Sequence, residues 1–357
     1  MDAGITIIEA GKALVGRDLQ PVEDAVIVVE GSTISAIGRT GEVEIAPGAS
    51  RIDAGEYLVL PGFIDAHVHV GFFSPAEILE GGVTTVRDLA WPPDIIFPLA
   101  RESKSSSFDG PRILAAGPML TALGGYPMKA GWAPSGTGVE VATPAEGRIA
   151  ARAAAGTGAA VIKIALNPAV GPVLDKPTLT AIVEAAHEGD LKVTGHIAGG
   201  NELNKALDSG VDELAHMLMS FERIPDETLE RMVQQNVAVV PTLSCRFGAD
   251  RDIAVENLAR FVKAGGKVVY GTDLGNEGPR PGIDPLEVGA MAAAGMSSRQ
   301  IISSATVDSA PWLGLENTGV LEPGADADII AVAGDALDRP LGLTEVDLVW
   351  RLGRRVR

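Results

Sequence analysis

The chain has 357 residues, of which 46% are apolar and 21% are charged, a composition typical of a globular protein rather than a disordered or fibrous one. Its 29 basic and 47 acidic residues give a net charge of −18. A surface of that sign repels phosphate backbones and anionic lipids, so we expect neither a nucleic acid nor a membrane as a partner. The single cysteine, Cys245, excludes an intrachain disulfide and a multi-cysteine metal site. The first residues lack a secretion signal, and no apolar stretch approaches the ~20 residues that span a bilayer, so we expect a cytoplasmic protein.

Short β-branched runs separated by glycines occupy both ends of the chain and predict strands. At the start these runs are residues 5–8, 25–29 and 32–37, and at the end they are residues 328–332 and 347–351. Two β-rich ends therefore flank a middle of different character.

The middle of the chain, about residues 60–315, alternates apolar runs with helical patterns. The apolar runs predict eight strands that begin near Phe63, Thr84, Arg112, Val161, Lys192, Glu213, Val237 and Lys267. Helices are predicted over residues 143–156, 176–188, 202–209, 226–235 and 252–264. Eight strand–helix units over ~250 residues indicate a (β/α)8 barrel, with an open doubly wound sheet as the alternative. The Gly/Pro-rich residues 91–143 are predicted to hold a substrate loop after the second and third strands.

Two of the five histidines form His67-Val68-His69 at the end of the first of these strands. Residues two apart on a strand point to the same side, so both imidazoles project together at the carboxyl end, where barrel enzymes place their sites. Such a pair, about 7 Å apart at Cα, can close on one metal ion. The alternative is a chance pair on a solvent-exposed strand.

Three more residues end predicted strands: His196 in KVTGH, His216 in ELAHM and Asp273 in VVYGTD. Either histidine alone could be a buried side chain bonded to a backbone carbonyl, and the aspartate could cap the next helix. His187 lies in the charged segment EAAHEGD and is predicted to be a surface residue. Together the strand-end residues favour a ligand set, with a role in proton transfer for Asp273.

Lys163 lies inside the apolar run AAVIKIAL, where burial disfavours its charge. Either its head reaches water, or its neutral amine is carboxylated by CO₂, which would turn a cation into an anionic ligand able to bridge two metal ions. All of these candidate ligands lie at or near the carboxyl ends of predicted strands, so we expect their side chains to converge.

The order HxH, Lys, His, His, Asp resembles the amidohydrolase superfamily in its binuclear-metal, carboxylated-lysine subtype. More narrowly, the chain resembles imidazolonepropionase-like and Xaa-Pro dipeptidase (prolidase)-like members. The supporting stretches include LPGFIDAHVHV, GGVTTVRDLA, GAAVIKIAL, GVDELAHM, VVYGTD and GVLEPGADADIIAV. The resemblance implies a (β/α)8 TIM barrel over residues 60–316 and a small β-sandwich domain built from residues 1–59 and 317–357.

By that resemblance, the more buried metal ion is held by His67, His69 and Asp273. His196 and His216 hold the second ion, and the carboxylated lysine bridges both. The implied cofactors are two divalent ions, most often zinc, and a CO₂-derived carboxylate on the lysine.

The sequence departs from dipeptide-cleaving relatives around the substrate. Those relatives usually carry a histidine in a Thr-Gly-Gly-His turn, which here reads Leu-Gly-Gly-Tyr and ends at Tyr126. His196 is followed by Ile197 rather than a second histidine, and Ala215, rather than an acidic residue, precedes His216. The metal ligands are retained while the substrate-contacting residues differ.

These features predict a metal-dependent hydrolase that cleaves an amide bond of a small molecule, such as a dipeptide, an N-acyl amino acid or a cyclic amide. A hydroxide shared by two ions about 3.5–4 Å apart would attack the carbonyl carbon. Asp273 would take the proton and return it to the departing amine. A lactonase or ester hydrolase with the same centre is the alternative. A non-catalytic scaffold is a third hypothesis, although such a protein would usually have lost metal ligands.

Substrate groups are expected from loops after the strands. Arg246 follows the seventh strand and could pair with a substrate carboxylate, or with an acidic residue at the surface. By position alone the candidates are Tyr126, Trp91, Trp132, Lys129, Arg246 and Asn276. A homo-oligomer is compatible with the sequence.

Overall fold

The computed structural model describes residues 4–357. In chain order its strands are β1 (Ile5–Val15), β2 (Gln20–Glu30), β3 (Thr33–Arg39), β4 (Ser50–Pro61), β5 (Phe63–Val68), β6 (Val83–Asp88), β7 (Arg112–Ala115), β8 (Met119–Thr121), β9 (Gly138–Glu140), β10 (Ile162–Leu166), β11 (Val193–Ile197), β12 (Glu213–Leu214), β13 (Ala238–Val239), β14 (Lys267–Val268), β15 (Ile329–Ala333), β16 (Val346–Arg351) and β17 (Arg354–Arg355). Its helices are α1 (Pro75–Glu80), α2 (Pro93–Glu102), α3 (Pro144–Thr157), α4 (Lys176–His187), α5 (Gly200–Ser209), α6 (Asp226–Gln234), α7 (Gly248–Lys263), α8 (Pro285–Ala293), α9 (Ser298–Ala305) and α10 (Ser309–Trp312).

Both ends of the chain meet in one seven-stranded sheet, in the order β17-β16-β15-β4-β1-β2-β3. Only β1 and β4 pair in parallel among its described strands. Apolar residues of these strands, among them Ile8, Ile27 and Trp350, pack in a common buried cluster. The two β-rich ends of the chain therefore form one sheet with a shared apolar cluster. The sandwich arrangement and the domain boundaries stay predictions.

The middle of the chain carries parallel strands that alternate with helices. One sheet has the order β5-β6-β7, and the other has the order β14-β13-β12-β11-β10-β8-β9. Each of the eight predicted strands is present and begins within one residue of its predicted start. The N–H groups of Ala66 and His69 donate to the carbonyl oxygens of Tyr270 and Leu274, at 2.9 and 2.7 Å. This α/β fold with parallel sheets is consistent with a TIM barrel.

Residues 91–143 are more ordered than the predicted loop. Besides the predicted strand β7, they include α2 and two short strands, β8 and β9, which extend one edge of the larger parallel sheet. These strands have only three residues each, too few to produce a recognisable alternation in the sequence.

Helices begin where the sequence supplies a cap. The Thr143 hydroxyl accepts a hydrogen bond from the Glu146 N–H at the start of α3, and the Asp175 carboxylate accepts one from the Thr178 N–H at the start of α4. Both helices have a proline in the first turn, where its missing N–H would have no partner in the helix. Within residues 4–357, no helix combines the length and the hydropathy needed to cross a membrane.

A buried ion pair joins elements of the parallel sheets. Arg87 Nη2 lies 2.5 Å from Glu213 Oε1, and both side chains are buried. Arg87 Nε donates to Ala66 O at 2.8 Å, and Trp312 Nε1 donates to Glu213 Oε2 at 2.6 Å. The pair therefore links β5, β6 and β12 to α10.

Glu213→Gln keeps the shape of the side chain but leaves the Arg87 charge buried without a counter-charge. We expect the free energy of unfolding to fall by about 3 kcal/mol, because the buried Arg87 charge would then lack the partner that offsets its loss of hydration. Urea denaturation followed by circular dichroism measures this change. The matched control, Glu188→Gln, removes a solvent-exposed partner of Arg152 and should leave unfolding unchanged. Equal effects of the two substitutions would contradict the assignment.

Candidate metal centre and active site

One cavity of about 320 Å³ lies where the parallel strands reach their carboxyl ends, and we call it the central cavity. All of the predicted metal ligands line it: His67, His69, Lys163, His196, His216 and Asp273. The rest of its wall is mostly aromatic and sulfur-containing, and includes Phe72, Met119, Tyr126, Trp132, Met219 and Cys245. The predicted convergence of distant strand ends is therefore present in the structure.

His67, His69 and Asp273 place their ligand atoms within 4.8 Å of one another. The Nε2 atoms of His67 and His69 lie 3.1 and 3.2 Å from Oδ1 of Asp273. The Nδ1 atoms of the two rings lie 2.7 Å from Ala215 O and 3.3 Å from Ala90 O, respectively. Because a carbonyl oxygen only accepts, the proton of each neutral ring belongs on Nδ1, and each Nε2 keeps its lone pair for a metal.

The turn after β14 holds Asp273 against β5. Asp273 N–H donates to His67 O at 2.8 Å, and the residue has φ +60°, in the left-handed region that aspartate tolerates better than most residues. Gly275 has φ +128°, and a Cβ atom placed on it would lie 2.8 Å from the Cβ of His69. The close approach of this turn to His69 therefore requires glycine.

His196 and His216 form the other half of the cluster. Nδ1 of His196 lies 3.0 Å from Nε2 of His216. The outer nitrogens have side-chain partners: His196 Nε2 lies 3.1 Å from Asn167 Nδ2, and His216 Nδ1 lies 2.8 Å from Thr242 Oγ1. The inner nitrogens thus point towards the same position, and the outer contacts fix both rings, as is usual for metal-binding histidines.

Lys163 on β10 directs its amine into the same cluster. The residue is 1% exposed, and its Nζ has no hydrogen-bond partner in the described part of the chain. Burial lowers the pKa of the amine to about 7, although the charges of Asp273 and Glu213 raise it. The amine is therefore largely neutral in mildly alkaline solution, the form that can react with CO₂.

The histidines are also suited to metal binding. Burial lowers the pKa of His67 and His216 well below the ordinary value and that of His196 to about 3. For His69, burial lowers the pKa as well, but the hydrogen bond and charge of Asp273 outweigh this, and the pKa is raised. Three of the four imidazoles are thus neutral at pH 7, and the neutral ring is the form that coordinates a metal.

The donor set fits divalent metal ions. It combines imidazole nitrogens, a carboxylate and a buried amine without a partner in residues 4–357. Imidazole and carboxylate groups are common ligands of zinc and other first-row metals. A buried cluster of lone pairs facing one another is costly in a metal-free protein, and a bound cation would relieve that cost.

Tyr126 and Asn276, two of the predicted substrate residues, line the central cavity. The Tyr126 ring stacks on His196, with centroids 4.8 Å apart and planes 26° apart. Its hydroxyl oxygen accepts a hydrogen bond from Trp132 Nε1 at 3.1 Å. Asn276 Nδ2 donates to Asp273 O at 3.3 Å. Both residues are therefore beside predicted metal ligands.

Trp91 and Arg246 lie outside the wall of the central cavity. Trp91 packs edge-on against Phe72, with centroids 5.1 Å apart, so it supports the wall from behind. Arg246 is buried: it donates to the carbonyl oxygens of Met217 and Leu218 and pairs with the carboxylate four residues later at 3.0 Å. Its guanidinium holds the segment that follows His216, and a direct role for either residue in substrate binding stays a prediction.

Some residues of the site were not identified from the sequence. Asn167 follows β10 directly, and Thr242 follows β13 closely. Both could have been proposed as site residues because each is a polar residue just after a predicted strand. Met219 and Phe72 carried no such signal, because an apolar side chain in a loop looks the same in sequence whether it lines a cavity or fills the core.

The comparisons with known proteins agree with this geometry. Residues 58–356 match the amidohydrolase family. An enamidase from Eubacterium barkeri is 27% identical over 368 aligned positions, which cover 96% of this chain and 89% of the enamidase. An imidazolonepropionase from Deinococcus deserti is 37% identical over 102 positions, which cover 27% of this chain and 25% of that protein. The crystal structure of a Xaa-Pro dipeptidase with bound methionine in the active site has 26% identity and a TM-score of 0.84, with 99% of each chain covered.

Gly275→Ala should displace His69, because the new Cβ would lie 2.8 Å from the Cβ of that residue. We expect less bound metal per chain than in the parent protein, measured by elemental analysis after loading with zinc. Gly295→Ala is the matched control: this glycine also has a positive φ, +88°, but a Cβ placed there would have no described atom within 4 Å apart from those of Gly295 and its two chain neighbours. Metal content that falls equally in both variants would indicate general backbone strain and contradict the specific role of Gly275.

Proposed function

Because the chain belongs to the amidohydrolase family, we propose that it is a metal-dependent hydrolase that cleaves the amide C–N bond of a small molecule. The family predicted from the sequence is thereby confirmed, and relatives named enamidase, imidazolonepropionase and Xaa-Pro dipeptidase support a hydrolase acting on C–N bonds. The main support for this proposal is that four imidazoles, one carboxylate and one buried amine line the same central cavity.

We assign one divalent ion to His67, His69 and Asp273, whose ligand atoms lie within 4.8 Å of one another. His196 and His216 would hold the second ion, and a carboxylate on Lys163 would add an anionic ligand to the centre. The nitrogen-rich donor set supports zinc. In the same proposal, the two parallel sheets close into one (β/α)8 barrel with the metal centre at its carboxyl-terminal end.

The bound ions would activate a water molecule and polarise the substrate carbonyl. Asp273 moves the proton: its carboxylate, buried beside the histidines, accepts a proton from the attacking water and gives it to the leaving nitrogen. This transfer matters for amides, since an amide nitrogen leaves poorly unless it is protonated. Tyr126 and Asn276 line the space where the substrate would lie and so orient it.

Asp273→Asn retains an oxygen ligand but removes the proton carrier. We expect nearly unchanged metal content and a fall in turnover of about 10²- to 10⁴-fold, the usual contribution of a general acid–base group. The assay is hydrolysis by zinc-loaded protein of a panel of N-acyl amino acids, dipeptides, neutral amides, cyclic amides and lactones, with metal measured by elemental analysis.

Asp347→Asn changes an exposed carboxylate on β16 and serves as the matched control. Nearly normal turnover in the Asp273 variant would reject the proton-transfer role. Hydrolysis of lactones without any amide would identify an ester hydrolase instead, and metal-loaded protein inactive on the whole panel would contradict an amide hydrolase.

Carboxylation of Lys163 should depend on pH. Its pKa is lowered to about 7, so the reactive neutral amine predominates at pH 8 and the unreactive cation at pH 6. Incubation with ¹³C-bicarbonate and zinc is expected to give a carbamate signal by ¹³C NMR at pH 8 and a weaker one at pH 6. Lys163→Met cannot form the adduct and is the control. A signal that persists in this variant would belong to another amine and would argue against the assignment.

A further inference from the structure

A second cavity of about 600 Å³ lies next to the metal centre, and we call it the side cavity. Met219 and Cys245 line both the central cavity and the side cavity. The two spaces are therefore neighbours, and these sulfur-containing side chains belong to the walls of both. A group attached to a carbonyl carbon at the metal centre could extend into the side cavity.

The wall of the side cavity is largely apolar. Two of its aromatic side chains, Phe221 and Phe247, are 72% and 57% exposed. Both lie on segments that follow strands, Phe221 after β12 and Phe247 at the start of α7. Large apolar side chains exposed around a concave space are typical of a binding surface that an apolar ligand covers.

Neither cavity offers a free lysine or arginine side chain in the part of the chain that the structure describes. Lys163 and Arg246 are the only Lys or Arg side chains that line them there. Lys163 is assigned to the metal centre. Arg246 donates from both terminal nitrogens to the carbonyl oxygens of Met217 and Leu218, at 2.8 to 3.2 Å, and its Nε lies 3.0 Å from Asp250 Oδ2.

A substrate carboxylate in the side cavity would therefore lack a counter-charge. Asp250 also lines the side cavity, but its carboxylate is paired with Arg246 at 3.0 Å, so the two side chains together offer an anion no net positive charge. Arg246 thus shapes the wall and holds the main chain rather than pairing with an anion.

We propose that the side cavity binds an uncharged, apolar arm of the substrate, so that the preferred substrate is a neutral amide with an aryl or alkyl group. This inference rests on the proposed amide hydrolysis and adds the substrate class. A volume of about 600 Å³ exceeds the ~150 Å³ that holds one benzene ring, so there is room for a phenylalkyl group.

The first test uses zinc-loaded protein and amides that differ in one part at a time. We expect kcat/KM for the N-methylamide of 4-phenylbutanoic acid to exceed that for N-methylacetamide by roughly 10- to 100-fold, the gain expected from burying a phenylalkyl group. We also expect this N-methylamide of 4-phenylbutanoic acid to be cleaved faster than 4-phenylbutanoylglycine, which has the same acyl group but carries a carboxylate on its amine part.

The second test measures binding without catalysis. Calorimetry with neutral 4-phenyl-1-butanol should give a Kd at least about threefold weaker for Phe221→Ser/Phe247→Ser than for the parent protein, since part of the apolar wall is lost. Ile149→Ser removes an apolar residue on α3 that is 68% exposed and does not line the side cavity. This control should bind like the parent.

The outcomes separate the two proposals. Hydrolysis of N-methylacetamide with no gain from the phenylalkyl group would overturn the side-cavity assignment. Faster cleavage of the glycine conjugate would overturn the preference for a neutral substrate. Either result would leave amide hydrolysis intact. Weaker binding in the Ile149 control to the same extent as in the double variant would also overturn it. Specific binding of the alcohol by a protein that hydrolyses no amide would support the side cavity and contradict the proposed reaction.

Discussion

The donor atoms of the central cavity face one another rather than the surrounding protein, and the rest of the site depends on this arrangement. The Lys163 amine is buried without a hydrogen-bond partner among residues 4–357, and nitrogens of His196 and His216 lie 3.0 Å apart. Buried polar groups without partners destabilise a fold. Such a cluster persists only if the scaffold fixes each side chain, and binding of cations would convert this local instability into affinity.

Buried carboxylates fix the backbone around that cluster. Asp65 accepts hydrogen bonds from the N–H groups of His67 and Thr272, at 3.0 and 3.1 Å. Asp88 accepts from the N–H groups of Val70 and Ala90 at 2.9 and 3.2 Å. Burial raises the pKa of these two acids to about 7 and about 6, although these bonds oppose the shift. The strand ends that carry the ligands are therefore tied to one another by their main chains, which leaves the side chains free to coordinate.

The candidate metal ligands, all of which line the central cavity, could be identified from the sequence because their signal is local. His67 and His69 share one face of a strand by their spacing, and Asp273 ends an apolar run, so each could be placed without knowing any tertiary contact. Arg246 shows where such reasoning stops. Its position after a strand suggested a role in binding an anion, which stays a prediction. Its hydrogen bonds to the carbonyl oxygens of residues 217 and 218 could not be foreseen, because the two loops share no sequence pattern. The short strands β8 and β9 were missed for a similar reason, since they are defined by their neighbours.

The candidate metal ligands and the residues that shape the cavity walls come from different parts of this fold. The candidate ligands lie on strands or within five residues after one, where backbone hydrogen bonds fix their positions. The walls of both cavities come largely from the segments beyond, including Tyr126, Met219, Phe221 and Phe247. Loops of this kind can change in sequence without disturbing the sheet. Substitutions in such loops, for example at Tyr126, would therefore alter the walls of the cavities while the strand ends keep the candidate metal ligands in place.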